Sequence, residues 1–100
     1  MRKDRELSIP PGAQEDPHSG EMLRAWIAKG GLHCTLRIGT WKADEAIAWG
    51  ILLSDAARHV ADALEKETGR NHQETLAAIR ESFDREMDAP TSPTEGGFVQ

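Results

Sequence analysis

A chain of 100 residues with 29% charged side chains and a net charge of −5 has room for one domain. It contains no apolar run of about 18 residues that could cross a bilayer, so no membrane role is expected. The excess of carboxylates argues against nucleic acid as a partner, because binding a phosphate backbone draws on clustered Lys and Arg.

The N-terminal stretch from Met1 to Pro10 lacks the apolar core of a secretion signal, and the only cysteine, Cys34, has no partner within the chain. A reducing cytoplasm is the expected location. Residues 1–20 mix Pro10, Pro11, Pro17, Gly12 and Gly20 with scattered charges, which suits an extended or mobile arm. Its apolar spot, Leu7 and Ile9 before the proline pair, could dock on a groove or a sheet edge.

Residues 21–88 form the expected α+β domain. Two β-compatible runs within 21–39 meet at Gly30-Gly31, a pair suited to the positive φ of a hairpin turn. With those glycines as the loop, Ala28 faces His33, Ile27 faces Cys34, Trp26 faces Thr35, Ala25 faces Leu36 and Arg24 faces Arg37. One face of the ribbon is then Leu23, Ala25, Ile27, Cys34, Leu36 and Ile38, all apolar. The other carries Met22, Arg24, Trp26, His33, Thr35 and Arg37. The clean separation supports this pairing, since a shift of one residue would mix the sets.

Asp44 is an N-cap candidate, and apolar residues recur at helical spacing to Gly69, which predicts a helix over 45–67. Trp49, Leu52, Leu53, Ala56, Val60, Ala63 and Leu64 form its main stripe, while Ile47 and Ile51 sit on another face and call for a second covering element. Gly50 within this helix suggests a close approach of another backbone or a tolerated flaw. Gly69 suits the left-handed position that ends a helix. Asn71 with Glu74 three residues on reads as the cap of a second helix over 72–88, with Leu76, Ile79, Phe83 and Met87 as its stripe. Pro90 and Pro93 end it, and 90–100 is expected to be a disordered tail.

The expected architecture is a β-hairpin followed by two helices, β-β-α-α, with the ribbon's apolar face on the main stripe of the long helix. The part able to build a core is roughly 70 residues, where a single core becomes marginal. Two hairpins pairing edge to edge about a two-fold axis would give a larger antiparallel sheet, so a homodimer is the expected assembly.

Chemical motifs are sparse. There is no phosphate-cradling glycine loop, Cys-x-x-Cys, His-Glu-x-x-His or nucleophile elbow, and no cofactor is indicated. His18, His33, His59 and His72 lack metal-ligand spacing. Asp55 can reach Arg58 and His59 one helical turn on. As a catalytic pair, Asp55 would orient the His59 imidazole; the plainer reading is a surface ion pair beside a histidine.

The polar ribbon face is the candidate binding surface. Arg24 opposite Arg37 is a like-charge pair that needs a negative counterpart, and Trp26 and His33 lie beside it. That counterpart is either an acidic protein or carboxylate-bearing ligand, or the chain's own Glu6, Glu15, Asp16 or Glu21. Two functions follow. The chain is either a non-enzymatic interaction or regulatory module acting through Arg24, Trp26, His33 and Arg37, or a small-ligand protein or enzyme using that face or Asp55 and His59.

Three blocks in order, Glu6-Leu7-Ser8-Ile9-Pro10-Pro11, then Leu23-Arg24-Ala25-Trp26-Ile27-Ala28-Lys29-Gly30-Gly31-Leu32-His33, then Ala48-Trp49-Gly50-Ile51-Leu52-Leu53-Ser54-Asp55-Ala56-Ala57-Arg58-His59-Val60-Ala61, resemble a family of short bacterial proteins catalogued only as a domain of unknown function. The resemblance runs over roughly residues 5 to 64. It implies a bacterial cytoplasmic origin and makes the arm part of the folded unit. It brings no activity, ligand or catalytic residue.

Overall fold

The computed structural model describes residues 5–100. The chain is an α+β protein with a hairpin followed by helices. In order it forms α1 (Pro11–Glu15), β1 (Leu23–Ala28), β2 (Gly31–Arg37), a 3-10 turn (Lys42–Asp44), α2 (Glu45–Thr68), α3 (His72–Asp88) and β3 (Thr94–Val99). The sheet order is β1-β2-β3, with β1 antiparallel and β3 parallel to the central β2. No helix among the described residues is long and apolar enough to cross a membrane.

The hairpin forms, but its turn is Lys29-Gly30 rather than Gly30-Gly31. Both have positive φ, 52° and 79°, as a two-residue turn with left-handed central positions requires. Pairing moves by two positions along the partner strand: Leu23 faces Leu36, Arg24 Thr35, Ala25 Cys34, Trp26 His33, Ile27 Leu32 and Ala28 Gly31. The expected pairs Trp26 with Thr35, Ala25 with Leu36 and Arg24 with Arg37 are therefore corrected. An even shift leaves every side chain on its face, so the polar and apolar sets survive. The observed register puts Leu on Leu and Ile on Leu, sends Lys29 into the turn, and separates the two arginines.

The C-terminal segment, expected as a disordered tail, contains β3. Its six residues are all exposed and gain their order from backbone pairing with β2. Gly96 is what permits the approach: its φ is 123°, and a Cβ built there would fall on the Cys34 carbonyl. Because β3 takes the free edge of β2, edge pairing between hairpins could use only β1. The arm is also more structured than its composition suggests, since Pro11 starts the five-residue α1.

The helices sit where their periodicity places them. Gly69 ends α2 at φ 75°, and its N–H donates to the Glu65 carbonyl at 3.0 Å. Asn71 accepts the Glu74 N–H at 2.9 Å and starts α3. A link that sequence reasoning missed ties the pair: His72 Nε2 lies 2.8 Å from Asp62 Oδ1. Asp44 stands at the N-cap of α2, yet its side chain makes no capping bond. The neighbouring Glu45 makes a different link, accepting from the Trp41 N–H at 2.9 Å and from the Trp49 indole at 2.9 Å.

The core departs most from expectation. The ribbon's apolar face was expected against the main stripe of α2, but no Cα of α2 or α3 comes within 8 Å of one in a strand. The radius of gyration is 15.4 Å, against about 13 Å for a compact chain of this length. Among the described residues only Ala61 is a fully buried apolar side chain, between the two helices, while Ile27 is 82% exposed and Ile47 69%. The Trp41–Glu45–Trp49 corner ties the segment that follows β2 to the first turns of α2.

Candidate functional site

Strand alternation gathers the polar face into three rows across the sheet. Trp26, His33 and Glu95 form one, and Arg24, Thr35 and Gly97 the next. Arg37 stands beside Val99 at the end of the ladder, where its N–H donates to the Met22 carbonyl at 3.0 Å. All four sequence-derived residues, Arg24, Trp26, His33 and Arg37, thus share one face. Glu95 joins them, which the sequence did not reveal because its segment carried no strand signal of its own.

The face meets residues of its own chain. Arg24 Nη1 donates to Glu6 at 3.0 Å and Arg24 Nε to Glu21 at 3.2 Å, and both carboxylates are half-exposed. The hydrogen bond and charge of Glu21, followed by those of Glu6, hold the Arg24 guanidinium above its ordinary pKa. Arg37 Nε donates to the Glu21 carbonyl oxygen at 3.1 Å. The Arg5 guanidinium lies over the Trp26 ring, 5.9 Å from its centroid, a contact of about 0.5–1 kcal/mol at an exposed site. Of the counterparts considered from sequence, Glu6 and Glu21 are in place, and the arginines reach Glu21 through different atoms.

The second candidate does not assemble. Asp55 pairs with Arg58 on the exposed surface of α2, and among the described residues no hydrogen bond joins it to His59. The Glu45 corner is the better-built polar constellation. Its carboxyl is held below the ordinary range, first by the Trp41 backbone N–H, then by the Trp49 indole and the Gly39 backbone. The rings of Trp41 and Trp49 meet edge-on with centroids 6.1 Å apart. The legible part of this corner is Glu45 with Trp49 one helical turn on; the Trp41 link goes through its backbone N–H across the 3-10 turn.

Two hollows lie on the surface, one mainly apolar and one mixed. One, of about 350 Å³, lies between the helices and is lined by Gly50, Leu53, Ala57, Leu76, Ile79 and Phe83. A Cβ on Gly50 would meet nothing within 4 Å, so no backbone of this chain approaches there. The other, of about 300 Å³, lies on the sheet against Cys34, Leu36, Gly96 and Phe98, with Thr94 and Glu95 also in its lining.

These features define a small α+β protein in which a three-stranded mixed sheet and a helix pair are joined by one pinned corner. The chain belongs to the family described as domain of unknown function DUF5076, whose model matches residues 6–91. The match takes in α3, so the family unit extends beyond residue 64. The chain is also similar to a solved structure described as that "of a putative pyruvate dehydrogenase" from Rhodopseudomonas palustrus CGA009, a photosynthetic bacterium. The two are 30% identical over 93% of each chain, with a TM-score of 0.69. No curated protein matches.

Proposed function

We propose that this protein is a non-enzymatic, homo-oligomeric interaction module of the bacterial cytoplasm. The observation that carries this reading is the unfinished core. Ala61 is the sole fully buried apolar residue described, whereas Ile27, Ile51, Val60, Phe83, Met87 and Phe98 are each 47% exposed or more. Apolar surface on this scale marks an interaction site.

The name attached to the Rhodopseudomonas structure belongs to that protein. An enzymatic reading has less support here, because Asp55 is taken up by Arg58 in open solvent and His59 stands apart from it. Arg24, Trp26, His33 and Arg37 form the surface where an acidic or carboxylate-bearing partner would bind, in competition with Glu6.

Light scattering at micromolar concentration tests the reading. The expected mass is twice the 11.0 kDa of one chain, or a higher multiple. A mass of one chain that persists as concentration rises would overturn it.

A further inference from the structure

We infer that the sheet of one copy receives α2 of a second copy, and that the exchange is reciprocal about a two-fold axis. This inference rests on the homo-oligomeric reading above and specifies its contact.

The sheet side is shaped for a helix. Its apolar face has a row of Leu23, Leu36 and Phe98, a row of Ala25, Cys34 and Gly96, and a row of Ile27, Leu32 and Thr94. Large side chains thus flank a line of small ones, and the hollow against Cys34 and Gly96 lies between them. No ionised side chain belongs to these rows. The helix side is equally apolar: α3 covers the side of α2 that carries Ala61, but Leu53 and Val60 remain 41% and 47% exposed, with Ala56 exposed between them.

The two surfaces occur in one chain and do not meet in it, since no Cα of α2 lies within 8 Å of a strand. The Glu45 corner ties the start of α2 to the Trp41 backbone. Two copies resolve this, because each offers one sheet face and one helix stripe. Packing sheet face on sheet face would leave both helix stripes in water. On the two surfaces, the exposed parts of Ile27, Phe98, Leu53 and Val60 amount to on the order of 400 Å² per copy, about half the share one partner brings to a standard interface, and the exposed Ala25 and Ala56 add to it.

Cross-linking in a mixed population tests the contact. A full-length chain carrying Cys34→Ser and Val60→Cys is mixed with the unaltered chain, equilibrated, and treated with a short bis-maleimide; Ala56→Cys replaces Val60→Cys in a parallel sample. Each chain then holds one thiol, so a link from Cys34 to the α2 position can form only between copies. The expected result is a species of twice the chain mass whose peptides join β2 of one chain to α2 of the other. A dimer by light scattering that yields no such link in either sample would overturn this contact and leave the homo-oligomeric reading standing. A monomeric mass throughout would remove both.

Discussion

The backbone of Gly96 lies against that of Cys34 so closely that even a methyl group at position 96 would collide with the Cys34 carbonyl. This approach, with the Ile38 N–H donating to the Val99 carbonyl at 2.7 Å, holds β3 on a sheet to which its exposed side chains contribute little.

Gly96→Ala should therefore release β3 while leaving the hairpin and helices folded. Hydrogen exchange reads this directly: the Ile38 amide should lose its protection, and the amides of α2 should keep theirs. Retained protection at Ile38 would show that β3 tolerates the extra carbon.

Lys29 carries the left-handed conformation at the first position of the hairpin turn, where an L side chain costs on the order of 1 kcal/mol and asparagine costs less. Lys29→Asn should raise the unfolding free energy by up to about 1 kcal/mol. A turn at Gly30-Gly31 would give no such gain, so a denaturant titration of this variant also tests the register.

Face assignment and register differ in how legible they are. The alternation of Leu23, Ala25 and Ile27 with Arg24 and Trp26 fixes which side chains share a face, because that depends only on parity. Pairing depends on which two of Lys29, Gly30 and Gly31 turn, and glycine content alone does not decide this. Helix ends were legible because Gly69 and Asn71 act through their own backbone and side-chain chemistry. The strand at Thr94–Val99 was not legible: Gly96 and Gly97 are poor strand residues, and their order comes from pairing with a segment some sixty residues earlier. Nor was the Glu95 contribution to the polar face, which depends on that strand.

Glu45 is predicted to make the corner sensitive to acid. Its folded pKa lies below the ordinary value, so the stabilisation it gives is present above the ordinary carboxylate range and is lost as pH falls through its own lower value. Protonation removes the acceptors that hold the Trp41 N–H and the Trp49 indole. Tryptophan fluorescence should change in that acid range, and Glu45→Gln should diminish this part of the change. An unaltered acid transition in the variant would assign the effect to another carboxylate.

The arm is predicted to shield Trp26. Removing residues 1–20 deletes Arg5 from above the ring and Glu6 from Arg24, so Trp26 should become more accessible to a soluble quencher. Unchanged quenching would show that the arm is not the partner of this face.

We propose that one chain leaves its core unfinished and a second copy completes it, which couples folding to assembly. Thermal unfolding measured over a hundred-fold range of protein concentration tests this most directly. For a folded dimer that unfolds to single chains, mass action should raise the midpoint by about 5–8 °C across that range. A midpoint independent of concentration would contradict the claim.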